Sequence, residues 1–387
     1  MCTLRRNAHA RWTITMTAVG WLCCLPALVR ASSVGSQRAG FNEATAALET
    51  ALQLYQAVAD RGGWPVLADD SRLKPGARDL RVLALRARLQ AEGYPIGESQ
   101  ADADLYEGDL ELAIGRFQAL HGLEEDGIVG AATLAALNVS AAARIKQIKT
   151  NLERRRSLPD SQNERYIIVN SAAFHLDVVE GGRSVLHLRT IVGRPDWPTP
   201  VVSSRISAVV FRPLWRVPRS IAAREVLPLV RRDSSYLRRT ETRIQDSDGG
   251  EVDPASIAWA AANAETFRFR FVQEPGPSNP LGGIKLFFRS PFDVYLHDTP
   301  ARRLFAQRVR TFSHGCVRVE HVERLAAYLL PEWPMDSIHS AMRTGRERWV
   351  PLIAPIPVHL VYWTAWSEGE GPVAFRDDVY HLDGTEP

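Results

Sequence analysis

The feature that most restricts the fold of this 387-residue chain is a change of hydrophobic period near Glu164. Ahead of it, apolar residues recur at helical spacing. Val82, Leu85 and Leu89 form one such run, closed by Gly93, and Leu110, Ala113, Ile114 and Phe117 follow i, i+3, i+4, i+7. Behind it the period is two. "RYIIVNSAAFHLDVV" and "SVLHLRTIV" read as strands joined through Glu180-Gly181-Gly182-Arg183, a hairpin signal, and "VVSSRISAVVF" and "DVYLHDT" continue the pattern. Pro195, Pro198, Pro200, Pro213 and Pro218 disfavour long helices there. One element type cannot satisfy both periods. The chain is therefore expected to be an α+β multidomain protein, with helices first and a mostly-β domain after them.

Punctuation divides it further. A helical pattern from Asn42 to Ala59, broken by "RGGWPVL", marks an N-terminal helical scaffold at 32–74. Three short helices, the last two joined by the turn-rich "HGLEEDGIVG", make a module at 75–140. A connecting helix follows at 141–164, its basic "IKQIKTNLERRR" taken as a solvated face. The β domain spans 165–345. Within it, 219–276 turns polar and helix-like ("SIAAREVLPLVRRD", "SIAWAAANAE") and is read as a helical insertion capping a groove. Residues 346–387 are expected to pack on the scaffold or the β domain.

The first residues differ in kind. Arg5, Arg6 and Arg11 precede an apolar run from Trp12 to Val29, and Val29-Arg30-Ala31 offers a small-residue cleavage point. This reads as a secretory signal at 1–31; Pro26 and the interspersed threonines make it a poor permanent span. Without its four arginines the formal charge falls from +3 to −1, so an acidic polymer such as nucleic acid has no electrostatic footprint to bind. Cys2, Cys23 and Cys24 leave with it. Cys316 then stands alone, and an exported chain with one cysteine has no internal disulfide: the thiol is reactive or hidden.

Cys316 lies in "RTFSHGCVRVEH", nineteen residues after His297. A nucleophilic cysteine needs a base, a group that orients the base, and donors for an oxyanion. His297 ends a strand and can be the base, and Asp298 can orient it through its side chain or its carbonyl. Val322, Leu325, Ala326 and Leu329 mark a helix beyond the thiol, so Cys316 is expected just before a helix N-terminus that lowers its pKa and holds it as an anion. Gly315 removes a Cβ beside the nucleophile. A zinc site from His297, His314, Cys316 and His321 fits poorly, because three donors crowd into eight residues instead of two separated pairs. His321 is expected on a helix surface, and His175 and His187 as ordinary strand residues.

Two resemblances follow from these residues. "LELAIGRFQALHGLEEDGIVGAATLAALN", through Phe117, Gln118, Gly122, Leu123, Asp126, Gly127, Gly130, Thr133 and Leu134, resembles the three-helix peptidoglycan-binding domain of cell-wall enzymes. "HDTPARRLFAQRVRTFSHGCVRV" resembles the signature of the L,D-transpeptidase catalytic domain, and "IVGRPDWPTP", "PLWRVPRSIA", "PGPSNPLGGIKLFF" and "VYLHDTP" resemble its large periplasmic branch. The resemblance implies that Cys316 attacks the bond between an L-centre diamino acid and the terminal D-alanine of a stem tetrapeptide. His297 would move the protons, Ser313, His314 and Gly315 would shape the site, and the Gly315 and Cys316 N–H groups would hold the oxyanion. It also implies substrate contacts at Tyr295, Asp298 and Arg318, a periplasmic location, peptidoglycan stem peptides and glycan as partners, and neither metal nor other cofactor. Arg318 and Arg212 stand where asparagine is common, and Arg289-Ser290 replaces Pro-Asn. Arg302, Arg303, Arg308 and Arg310 could meet stem carboxylates or simply be solvated. A carboxypeptidase or endopeptidase using the same thioester, and a non-catalytic wall-binding protein, remain as alternatives. A papain-like peptidase would carry its cysteine before its histidine, the reverse of the order here.

Overall fold

The computed structural model describes residues 41–67, 72–97, 102–158, 165–263, 265–369 and 371–384. The signal assigned to 1–31 and the start of the scaffold at 32–40 lie outside the described residues. No helix among the described residues is long and apolar enough to cross a membrane.

Helices α1 (Phe41–Asp60) and α5 (Ala141–Arg156) pack around Leu48, Tyr55, Ile148 and Leu152. Ser140 starts α5 by accepting the Ala143 N–H at 3.2 Å, an ordinary N-cap. Between them in sequence, α2 (Arg81–Ala91), α3 (Asp109–Leu120) and α4 (Ala131–Leu137) bury Val82, Leu85, Ile114, Phe117 and Leu137, the faces that the spacing selects. One side chain closes the Asp126-Gly127 connector. Gln118 Nε2 sits 2.8 Å from Asp126 Oδ1 and 3.0 Å from the Ile128 carbonyl, and its Oε1 accepts the Gly127 N–H at 2.9 Å. Gly127 is held at φ 66°, where a side chain would be strained. These motif residues are thus engaged in holding a turn. Gln118→Leu strands the Gly127 N–H, while the Ile128 carbonyl keeps the Gly130 N–H and the Thr133 hydroxyl, and is expected to cost about 1–3 kcal/mol in urea unfolding. A loss of a few tenths would mean that the turn holds without it.

The β domain is a closed sheet. Its strands are β1 (Tyr166–Asn170), β2 (His175–Glu180), β3 (Arg183–Gly193), β4 (Val202–Phe211), β9 (Ile284–Phe288), β10 (Leu296–His297), β11 (Thr311–Ser313), β12 (Val317–Val319) and β13 (Arg348–Val361), in the order β11-β3-β12-β10-β9-β4-β13-β1-β2. Because β3 also pairs with β2, the sheet closes into a barrel. The β2–β3 hairpin turns on Gly181 and Gly182, both at positive φ (55° and 76°), as a two-residue loop requires. The core gathers Ile167, Leu176, Val209, Leu286, Leu296, Val317 and Val358, with Leu325 and Leu329 of α9 (Val322–Leu329) and Ile338 of α10 (Met335–Arg343).

Two features go beyond the expected division. β13, which follows the expected end of the β domain at 345, lies between β4 and β1 and completes the barrel. Pro351, Pro355 and Pro357 hide it in the sequence; the register with β4 jumps between Pro351 and Ile356, an irregularity that accommodates them. The insertion is not purely helical. It carries α6 (Arg219–Ile221), a π-helical turn (Ala222–Val226), α7 (Leu227–Arg232) and α8 (Ser235–Arg239). It also holds a four-stranded sheet of β5 (Trp215–Arg216), β8 (Arg270–Gln273), β6 (Thr242–Gln245) and β7 (Glu251–Val252). Residues 257–263 of "SIAWAAANAE" form turns and bends, not a helix, with Trp259 drawn to Phe267 and Phe271 by ring packing. The rest of the C-terminal segment, with β14 (Ala365–Trp366) and β15 (Ala374–Phe375), joins the two halves. Thr364 exchanges hydrogen bonds with Asn151 of α5, and Arg376 donates to the Leu120 carbonyl at the end of α3.

Candidate active site

The site is one face of three neighbouring strands. Their register places Lys285 beside His297 beside Arg318, and Leu286 beside Leu296 beside Val317. The leucine–valine row is fully buried in the barrel core. The alternation of a strand therefore puts Lys285, Tyr295, His297, Cys316 and Arg318 together on the opposite face. Tyr295, His297, Cys316 and Arg318 line a cavity of about 400 Å³, which Trp215, Pro218, Arg219, Ser220 and Ile221 of the insertion border from the other side.

His297 is buried, and its Nδ1–H donates to the Asp298 carbonyl, which can only accept. That fixes the tautomer and leaves Nε2 as the basic nitrogen. Burial first, then the charges of Arg318 and Lys285, hold its pKa down at about 3, so the imidazole is neutral at physiological pH. The orienting group is thus the main chain of residue 298. The Asp298 side chain accepts the Gly283 N–H at 2.9 Å and pairs with Arg302 at 3.3 Å. The assignment of Asp298 to substrate contact is corrected accordingly: its buried carboxylate fastens the Gly282-Gly283 turn, where a Cβ on Gly282 would lie 2.4 Å from Asp298 Oδ2.

Cys316 is half-buried, with Sγ 3.9 Å from the Asp293 carbonyl. Asp293 is held at φ 51°, a strained value for a side-chain-bearing residue, directly beside the thiol. The thiol does not precede a helix N-terminus. Strand β12 intervenes because Val317 and Val319 are core residues, and α9 begins only at Val322. Nor is the thiol pKa low. Burial pushes it up, against the Tyr295 N–H, the Lys285 charge, the Tyr295 hydroxyl and Arg318. The resting pair is therefore a thiol and a neutral imidazole, and the expected standing anion is corrected. Lys285 Nζ lies 3.8 Å from the centroid of the Tyr295 ring, which braces it beside the sulfur.

The Ser313–Cys316 turn is internally tied. Ser313 Oγ donates to the Cys316 carbonyl and accepts the Gly315 N–H at 3.2 Å, and Gly315 takes φ 105°. Engaged in this way, the Gly315 N–H is not a free oxyanion donor, which leaves the Cys316 N–H of the expected pair. Thr199 Oγ1 supports the turn from below by donating to the Gly315 carbonyl at 2.9 Å. His314 lines the cavity and its Nε2 meets Glu225 Oε1 of the insertion at 2.6 Å.

Other predicted residues are placed elsewhere. His321 is exposed beside Glu323, and the four candidate zinc donors do not converge. His175 and His187 flank Asp177 on the β2–β3 hairpin. Arg310 braces the fold by donating to the carbonyls of Thr190, Gln307 and Phe174, and Arg308 lies 3.7 Å from Asp377 at the surface. Arg212 clamps the carbonyls of Arg343, Gly345 and Pro275. Sequence reasoning missed Lys285, Glu225 and Trp197. Lys285 was findable: it is the polar member of an otherwise apolar alternating run, "IKLFF".

Comparison with known proteins gives family matches over both parts of the chain. Residues 164–345 match the family described as "L,D-transpeptidase catalytic domain" (YkuD), and 78–137 match "Putative peptidoglycan binding domain". A curated relative from Haemophilus influenzae named "Putative L,D-transpeptidase" is 35% identical over 240 residues, covering 62% of this chain and 48% of its own. The chain thus spans about half the length of the curated relative it matches. Among solved structures, an L,D-transpeptidase from Xylanimonas cellulosilytica is 18% identical, covering 76% of this chain and 99% of that one at a TM-score of 0.25. Another from Mycobacterium smegmatis is 13% identical, covering 51% and 58%, at 0.26. With Cys316 and the buried His297 lining one cavity and both family matches in place, residues 164–345 are an L,D-transpeptidase catalytic domain of the YkuD family and follow a peptidoglycan binding domain at 78–137.

Proposed function

We infer that the protein is a periplasmic L,D-transpeptidase that forms 3→3 cross-links between peptidoglycan stems through a thioester on Cys316. The carrying observation is that Cys316 and the tautomerically fixed His297 share one cavity face. In acylation, His297 Nε2 takes the Sγ proton as sulfur adds to the carbonyl carbon between the L-centre diamino acid and D-alanine. The Cys316 N–H receives the oxyanion. The C–N bond then breaks, the imidazolium returns the proton to the departing amine, and D-alanine leaves a thioester. A second stem's side-chain amine adds to the thioester carbonyl and gives its proton to His297; the C–S bond then breaks, and the imidazolium returns that proton to the departing sulfur to restore the thiol.

Lys285 and Arg318 give the donor a reason to bind in one direction. Among the described residues neither forms a salt bridge, and both face the sulfur, so the carboxylate of the terminal D-alanine is their counter-charge. The same carboxylate would neutralise two charges that depress His297, so the substrate raises the basicity of its own catalyst.

Defined tetrapeptide stems test both points. Dimers with loss of D-alanine are expected, and a stem amidated at D-alanine should have a KM roughly tenfold higher, about the worth of one ion pair of this kind. Tripeptide without dimer would convert the reading to hydrolysis. Equal use of the amidated stem would remove the carboxylate assignment.

A further inference from the structure

The insertion and the nucleophile turn meet at a junction that none of the chemistry above uses. His314 Nε2 lies 2.6 Å from Glu225 Oε1, and Arg194 Nη2 lies 3.6 Å from the same oxygen. Arg194 also donates its backbone N–H to the Ser313 carbonyl at 2.9 Å, so one residue touches both sides. The Trp197 ring packs on His314 at 4.4 Å between centroids and contacts the apolar core of the insertion. Arg224, the neighbour of Glu225, places its guanidinium 5.1 Å from the same ring. Glu225 sits in the π-helical turn, a distortion that costs backbone energy and is frequent at functional positions. Its flanking Ala222 and Val226 are buried in the insertion, while Glu225 reaches out to His314.

We propose that Glu225 is a positioning residue: by holding His314 it fixes the Ser313–Cys316 turn and keeps the insertion closed over the thiol, so that lid position and nucleophile alignment change together. A carboxylate only accepts, so His314 is held with a proton on Nε2, and the ring stays clamped between Glu225 and Trp197. Movement of the insertion then pulls on the residue two positions before Cys316, through a turn made stiff by the Ser313 bonds. The chemical consequence rests on the transpeptidase reading; the mechanical coupling does not.

Glu225→Ala removes the acceptor of the His314 bond, which the carboxamide oxygen of a glutamine would retain. Hydrogen exchange of the full chain is expected to quicken by tenfold or more in peptides covering 219–230 and 311–319, with the helical module unchanged. Acylation by a carbapenem-type β-lactam should slow about tenfold in its limiting rate, with apparent affinity within twofold. In Glu225→Ala/His314→Gln the loss should not exceed that of the slower single variant, because both act through one bond. Thermal melting checks that each variant is folded. Unchanged exchange at 311–319, or losses that multiply in the double variant, would overturn the proposal. A wild-type enzyme that no β-lactam acylates would instead strike the functional reading and leave the coupling to be judged by exchange.

Discussion

Cys316→Ser is expected to lose covalent capture by at least about 10³-fold. The reason lies in the base. An imidazole held near pKa 3 by burial and two cations is too weak to draw a proton from a hydroxyl, whereas a thiol is far more acidic and its anion has Tyr295, Lys285 and Arg318 around it. Serine keeps the volume and the turn, so folding should be unaffected. Intact-mass spectra after exposure to a carbapenem-type β-lactam make the measurement: wild type should gain one adduct, and the variant none. An adduct on the serine variant would take Cys316 out of the reaction.

His297→Gln is expected to slow acylation by about 10²–10⁴, the usual worth of a lost acid–base group. Glutamine can still donate to the Asp298 carbonyl, so the loss isolates proton transfer from orientation. The pH dependence separates this from a structural role. Folded His297 stays neutral down to about pH 3, so in the free enzyme it adds no acid limb to the rate between pH 5 and 7. The acylation rate should instead rise toward alkaline pH as the raised thiol ionises. Stability instead responds on the acid side. An unfolded histidine titrates near 6.5, and the folded one resists protonation, so the unfolded state binds the extra proton between those values. Wild type should therefore lose on the order of a few kcal/mol relative to His297→Gln as pH falls from 6.5 toward 3. Urea midpoints that move in parallel at pH 7 and pH 4 would contradict a neutral buried imidazole.

Much of the helical half was legible because its signals are local. The i, i+3, i+4, i+7 apolar residues of α3 are the buried ones, and the Gly181-Gly182 loop turns where its positive φ values demand. The failures were non-local. A strand interrupted by three prolines reads as extension rather than barrel wall, because only its pairing partners β4 and β1 show what it is. The helix after Cys316 was foreseen, but the three-residue strand before it was not, since three residues are too few to display a period.

The sequence alone determined the two-part architecture, the lone cysteine in its Ser-His-Gly-Cys turn and the histidine nineteen residues before it. Those are properties of spacing and residue type, which survive without coordinates. The protonation states, the use of a carbonyl rather than a carboxylate behind His297, the cations at Lys285 and Arg318, and the bond from Glu225 to His314 came only with the tertiary structure. Each depends on burial and on charges brought close across strands that are distant in the chain, and electrostatic energy follows distance in space, not separation in sequence.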